Sequence, residues 1–458
     1  MLATDSSRTD ASPSAETTPD TTGGPADPHP WRAAILLTVL VVGAAAAWSM
    51  WLEPLKWGVH RWLPPGDAWP TLTASHYVAN GALGYVYEAN RAFVATPLFP
   101  ILLSPVAAMG EAFKLTQNDP FVLPHPSIWP LYVTYAVSIS SLPLLYAVRA
   151  LATEMGLRRG RLLLQALTAA LCLVPVDVVF GHYEDVLALA FVLLSIRALN
   201  RNHSLQAAFL LGLGIASKQW AILALPIVLV QIPRGRRIRA GFVALAVPGT
   251  LVGAALALDG QDAARAMLRP ASSPHLGYAA LWVNAHAHHV VGTGPRSMLF
   301  LLALALALLI KDRADIRRTL AVLGICLGAR IFVEPVAYVY YLGPGLTLLL
   351  LHERLASRRV GRTVIFGLGL LALFLWHPSL IVWWGAAGVL AALLLVPAAV
   401  DLFRPIAGVA ASGHADITQQ GPLGAAGRLG LRWTGRPSAT RSWASSRSGA
   451  TVSSPPRR

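Results

Sequence analysis

Charge is what this sequence has least of. Only 13% of its 458 residues are Asp, Glu, Lys or Arg, against 55% hydrophobic, whereas soluble domains carry about 25% charge. That shortfall disfavours a water-soluble globular protein. Two cysteines exclude a disulfide scaffold, and the apolar content excludes disorder for most of the length. GxxxxGK[ST], GxGxxG and HExxH are all missing, so nucleotide-driven and zincin chemistry lack support. Acids are scarcer than bases: 22 Asp+Glu stand against 37 Lys+Arg, of which 33 are Arg, for a net charge of +15. Nucleic-acid binding and a positive cytoplasmic membrane face both produce such an excess, and the placement of the cations separates them.

What the chain does have is a series of apolar runs. They cover 33–50, 129–148, 162–180, 186–199, 205–216, 220–231, 241–258, 298–310, 320–329, 336–351, 364–376 and 380–400. A full span takes about 20 residues, so the shorter runs read as broken or tilted helices. The expected fold is an all-α integral membrane protein of about 12 transmembrane helices. Its membrane domain occupies 33–400, between disordered tails at 1–32 and 401–458. The first tail carries Asp5, Asp10, Glu16, Asp20 and Asp27 among Ser, Thr and Pro; the second is Gly/Ser/Pro-rich with scattered arginines.

The arginines cluster in alternate loops: Arg149, Arg158, Arg159 and Arg161; Arg197 and Arg201; Arg234, Arg236, Arg237 and Arg239; Lys311, Arg313, Arg317 and Arg318; and Arg354, Arg358, Arg359 and Arg362. With these loops and both tails in the cytoplasm, 28 of the 37 cations lie inside, as the positive-inside rule requires. The expected location is the plasma membrane, with cytoplasmic termini and no nucleic-acid partner. Residues 51–128 become one long external loop carrying interfacial helices, in which the proline-bearing stretch 94–109 suits a helix lying on the surface rather than crossing. Residues 205–231 read as two short helices meeting at Lys218, since one continuous helix would place that lysine near mid-bilayer at roughly 3 kcal/mol.

The external face then holds few cations but half of the acids, several at helix ends, where ionisable groups are functional candidates. The sharpest group is Gly181-His182-Tyr183-Glu184-Asp185, in a tight turn; a solvated turn with Asp185 as a helix cap is the plain alternative. Next comes Leu213-Gly214-Ile215-Ala216-Ser217-Lys218-Gln219-Trp220, where a lone lysine interrupts an apolar stretch. Lys218 either snorkels to lipid headgroups or offers a fixed cation to a phosphate or carboxylate.

GHYEDVLALAFVLLSIRA at 181–198 and AAFLLGLGIASKQWAILALP at 207–226 resemble actinobacterial polytopic mannosyltransferases of the glycosyltransferase C superfamily, which use polyprenyl-phosphate mannose. WPTLTASHYVANGALGYVYEA, ATPLFPILLSPVA and RIFVEPVAYVYYLGP fit as well. The resemblance covers roughly residues 33–400. It implies an inverting sugar transfer at the outer leaflet, from a polyprenyl-phosphate sugar to a lipid or glycan acceptor among membrane lipids. An acid of the first external loop acts as base, and a cation stabilises the phosphate that leaves. Lys218, Arg330, Arg265 and Arg269 are the candidate cations.

Such families often carry an Asp shortly before a Tyr. Here Thr71, Thr73, Ala74 and Ser75 precede Tyr77, and the nearest upstream acid is Asp67, ten positions away. Asp67 is the first choice for the base, against a plain turn role after Pro64-Pro65-Gly66. Glu88 is second, and Asp185 is base or second acid. His182, Glu184, His275 and Tyr341 complete the expected substrate contacts, with Arg330 and Glu334 also readable as an ion pair. Tyr340, Tyr341 and the tryptophans at 51, 57, 62 and 69 also suit interfacial anchors. His286, His288 and His289 form a weak HAHH pattern that reads as loop histidines before metal ligands. No cofactor is expected, and a divalent metal lacks sequence support. A secondary transporter and an inactive scaffold of the same fold are the rival readings; the sequence lacks the internal repeat usual in transporters.

Overall fold

A computed structural model describes residues 30–403 apart from 59–62, 66, 89–92, 94, 114–128, 158–159, 269–293, 312–314, 334–338, 358–359 and 377–379. Among the described residues every regular element is helical. The first helix, α1 (Pro30–Ala47), continues through a π-helical turn (Trp48–Leu52) into α2 (Glu53–Trp57). Ala34, Val41 and Ala45 face the core, whereas Leu36, Val39 and Leu40 are exposed. A helix apolar on both faces belongs in lipid, and the exposed Ile238 and Phe242 extend that surface elsewhere.

Five helical stretches are long and apolar enough to cross a membrane: Trp31–Leu55, Pro130–Glu154, Arg161–Phe180, Arg234–Met267 and Gly385–Phe403. Shorter apolar helices include Leu98–Gly110, Ser204–Ser217, Gln219–Gln231, Ser297–Ile310 and Gly361–Leu373. The expected disordered tails lie outside the described residues, except for the first few helical residues from Pro30 and the last from Asp401.

The stretch after α2 is structured by three helices: α3 (Ala68–Ala79), α4 (Tyr85–Glu88) and α5 (Leu98–Ala112). Ala68 and Leu72 of α3 share one core with Phe99 and Leu103 of α5. The Asp259 carboxylate accepts the N–H groups of Tyr87 and Glu88 at 3.1 and 3.0 Å and so ties down α4. Thr96 donates to the carbonyl of Ala216, which fixes the start of α5 beside Lys218.

Then follow α6 (Trp129–Glu154) and α7 (Arg161–Thr168), which widens into a π-helix (Ala169–Phe180) around Pro175. Pro175 has no N–H for the helical ladder, and wider turns accommodate such an interruption. The π-helix ends at Gly181, and α8 (Tyr183–Asn200) starts two residues later. The next helix, α9 (Ser204–Ser217), packs closely on α8: a Cβ added to Gly214 would lie 3.3 Å from the carbonyl of Ala188. It stops at Lys218, whose backbone is extended (φ −150°, ψ 131°). A 3₁₀ turn (Gln219–Leu223) leads into α10 (Ala224–Gln231). The stretch 205–231 is therefore two helices broken at Lys218, as the burial cost of that lysine predicts.

The rest comprises α11 (Arg237–Leu268), kinked at Gly260, α12 (Gly294–Ile310), α13 (Ile316–Val333), a 3₁₀ turn (Val339–Leu342), α14 (Gly343–Ser357), α15 (Gly361–Trp376) and α16 (Leu380–Phe403). Charges collect at both ends of α8. Glu184 and Asp185 occupy its first turn, and Arg197 near its last turn donates to Glu154 at 2.6 Å. At 1.5 Å per residue, about 20 Å of helix separates them.

Gly181 fixes how α3 meets α8. Its φ is +74°, and an added Cβ would lie 2.6 Å from the Cβ of Ala68. Ala68 directly follows Asp67, so this contact sets where Asp67 sits. Gly181→Ala therefore combines left-handed backbone strain with overpacking, at about 1–3 kcal/mol for the latter. The expected outcome is a lower melting temperature in detergent, with a smaller loss for Gly235→Ala, where an added Cβ meets nothing within 4 Å.

Candidate functional site

The turn between the π-helix and α8 brings together residues far apart in sequence. Asp67 is the N-cap residue of α3, but its side chain makes no capping hydrogen bond. Its Oδ2 lies 3.2 Å from Nε2 of His182 instead. The plain turn role is thus insufficient: the backbone turns, while the carboxylate reaches out to a histidine. The other ring nitrogen of His182, Nδ1, lies 3.3 Å from Oε1 of Glu184 and 3.7 Å from Oδ2 of Asp185.

Lys218 completes the arrangement from the break after α9. Its Nζ is 2.8 Å from Glu184 Oε1 and 3.2 Å from Asp185 Oδ2. Trp220, two residues on, donates from Nε1 to Asp185 Oδ1 at 2.6 Å. Arg330, near the end of α13, approaches that same Oδ1 at 3.9 Å. The Asp185 carboxylate is therefore occupied by partners across the bundle and does not serve as the cap of α8.

Two tyrosines of the 3₁₀ turn before α14 cover the cations. The Tyr340 ring stacks on His182 with centroids 4.0 Å apart, and the guanidinium of Arg330 lies 4.2 Å from the Tyr341 ring centre. Both contacts suit a positive charge over an aromatic face. Tyr340 and Trp220 add to what the sequence suggests: Trp220 closes the KQW triplet that marks the helix break, and Tyr340 sits beside Tyr341.

Burial divides the cluster by role. Glu184 and Asp185 are 4% and 1% exposed, while the Asp67 side chain is 48% exposed. A buried carboxylate stays ionised only when paired, and here Lys218, His182 and Arg330 do the pairing. Of these carboxylates, Asp67 faces both the cluster and the solvent. Burial opposes a charge on His182, yet the hydrogen bonds its ring N–H groups donate to Asp67 and Glu184 outweigh it and push the ring up to about 9. Burial likewise works against Lys218, but Asp185 and Glu184 hold it above the ordinary lysine range.

Other candidates fall elsewhere. Glu88 is exposed on α4 and, among the described residues, has no hydrogen bond or ion pair to the cluster. Arg265 pairs with Asp262 one turn earlier on α11, beyond the Gly260 kink. Arg269, His275, Glu334 and the HAHH histidines lie outside the described residues. Below the site, Asp177 is fully buried in the π-helix and accepts hydrogen bonds from Ser140 and Ser141 at 2.8 and 3.1 Å. Among the described residues, His182, Glu184 and Asp185 are the group whose donor atoms lie close enough to hold a metal ion.

The fold and this cluster describe a polytopic helical membrane protein with a charged site built on helix ends. Residues 93–271 match glycosyltransferase family 87, which supports a membrane glycosyltransferase. The matched stretch contains His182, Glu184, Asp185, Lys218 and Trp220; Asp67, Arg330 and Tyr341 lie outside it. No curated protein matches the chain.

Trp220 supplies a 2.6 Å hydrogen bond to Asp185, from a neutral donor to a buried charge. Such bonds contribute about 1.5–3 kcal/mol. Trp220→Phe keeps the aromatic bulk and removes the N–H. It is expected to lower the melting temperature in wild type but to have little further effect in an Asp185→Ala background, which lacks the acceptor, measured as a double-mutant cycle.

Proposed function

We propose that the protein transfers a sugar, with mannose as the expected one, from a polyprenyl-phosphate donor to a lipid or glycan acceptor at the outer face of the plasma membrane. Both termini are cytoplasmic in this reading, and about 12 helices cross the bilayer. The carrying observation is the convergence of Asp67, His182, Glu184, Asp185 and Lys218, from three separate parts of the chain, with one accessible carboxylate among them. The family match over residues 93–271 supports the same reaction class.

Asp67 is the base. It removes the proton from an acceptor hydroxyl while that oxygen bonds to the anomeric carbon from the face opposite the phosphate. The bond from that carbon to the phosphate oxygen breaks, its electron pair passes to the phosphate, and the configuration inverts. The leaving phosphate is already anionic and needs a cation rather than an acid. Lys218 and Arg330 supply positive charge at the site, Arg330 held by Tyr341. His182 holds the Asp67 carboxylate in place. Glu184 and Asp185 fix the cations, so Asp185 fits a positioning role better than that of base.

Asp177 is the observation a transporter reading would use, because a carboxyl with two serine partners inside a spanning helix resembles an ion site. Its placement beneath the charged turn, with no sign of a repeated half in the sequence, favours surface chemistry.

Asp67→Asn keeps the side-chain shape and removes the base. With radiolabelled polyprenyl-phosphate mannose and native membranes as the acceptor source, transfer is expected to fall by about 10²–10⁴ at unchanged protein level. Full activity in Asp67→Asn removes the assignment of the base. Uptake of solute into liposomes with no transfer by wild type replaces the enzyme reading with transport.

A further inference from the structure

Lys218 occupies an unusual position. Its ammonium bridges Glu184 Oε1 and Asp185 Oδ2 at 2.8 and 3.2 Å, and His182 Nδ1 lies 3.3 and 3.7 Å from those same oxygens. One donor atom from each of His182, Glu184 and Asp185 falls within 4.8 Å of the other two. An imidazole nitrogen with two carboxylate oxygens is a donor set that Zn²⁺ and Co²⁺ accept.

Geometry brings the set close to a metal site. Bonds of about 2.0–2.1 Å in a tetrahedron place donors about 3.4 Å apart. The two histidine–carboxylate spacings are already near that figure. A second oxygen of Glu184, Oε2, is buried and accepts no hydrogen bond among the described residues, so this carboxylate retains capacity for a cation. The bridging place is filled by the ammonium, and a divalent ion could not enter within 2–3 Å of it without intense like-charge repulsion.

We infer that Lys218 is a built-in cation occupying a divalent-metal site formed by His182, Glu184 and Asp185, and that removal of its side chain opens this site to a metal ion. The substitution of an ammonium for a metal explains why two acids and a histidine share so little space at a helix start. It also gives Lys218 a task independent of substrate: it neutralises two buried carboxylates that would otherwise repel each other. Any phosphate therefore meets an ammonium that is already shared. The inference concerns metal binding alone, so it stands or falls separately from the sugar-transfer reading.

The test uses the full chain, purified in detergent without a histidine tag, with Co²⁺ as probe. The quantity measured is the Co²⁺ uptake that Glu184→Gln abolishes, read by visible absorption and by calorimetry. Comparison with Glu184→Gln separates this site from the histidines at 286, 288 and 289. Lys218→Ala is expected to gain one Glu184-dependent equivalent of Co²⁺, and wild type none at the same concentration. Lys218→Met, which keeps part of the aliphatic stem, serves as a second variant. In wild type alone, Co²⁺ and EDTA are each expected to leave the melting temperature unchanged. A Glu184-dependent equivalent in wild type, or none in a folded Lys218 variant, overturns the inference. Should neither variant fold, a Co²⁺-induced rise in the wild-type melting temperature that Glu184→Gln removes overturns it equally.

Discussion

The pairing of Lys218 with Glu184 and Asp185 is the constraint around which this end of the molecule is organised. Two carboxylates almost without solvent contact cannot remain ionised side by side unless a cation lies between them. Placing that cation requires α9 to end where it does and requires Gly214 to let α9 lie against α8. Removing one partner of such a buried pair typically costs about 3–5 kcal/mol. The charges at the start of α8 also lie at the positive end of its dipole. Helix termination, close packing and charge compensation are thus one arrangement, not three.

That arrangement separates the acids by availability. Glu184 and Asp185 are spent on holding Lys218, His182, Trp220 and Arg330. Asp67 is joined to the group through its contact with His182 and is half exposed to solvent. A base must reach an acceptor hydroxyl, and only an accessible carboxylate can do so. Asp185, buried and already shared among partners, accords with the positioning role proposed for it. The arrangement also explains why aromatic faces stack over His182 and Arg330: cations near lipid are retained most cheaply when a ring or an acid lies against them.

Much of the fold was legible because membrane constraints act on short stretches of sequence. The apolar runs and the alternation of arginine-bearing loops suffice for an all-helical reading, and the cost of burying Lys218 suffices to break 205–231 in two. The stretch 51–128, expected to carry interfacial helices, does contain α3, α4 and α5; their boundaries were not legible, since short interfacial helices have no strong period. At the site, His182, Glu184, Asp185 and Lys218 stood out because charge is scarce around them. Asp67 was chosen with less support, as the only Asp between the first helix and the stretch around Tyr77. Trp220 and the stacking of Tyr340 on His182 are tertiary facts: an indole or phenol near a membrane interface looks the same whether it meets headgroups or a buried carboxylate. Glu88 and Arg265 attracted attention as external charges, yet Glu88 meets α11 through its backbone N–H on Asp259 and Arg265 pairs with Asp262 on the same helix.

The central claim is that the cluster at the start of α8 receives a polyprenyl-phosphate sugar. The most direct measurement is photo-crosslinking of the full chain in detergent with a diazirine-bearing polyprenyl-phosphate mannose analogue, followed by mass spectrometry of the labelled peptides. Labelling concentrated on the peptides containing Asp67, His182–Asp185 and Lys218, and suppressed by excess unlabelled donor, is the predicted result. Labelling that competes with donor yet maps to the arginine-bearing loops at the other end of α8 would contradict it.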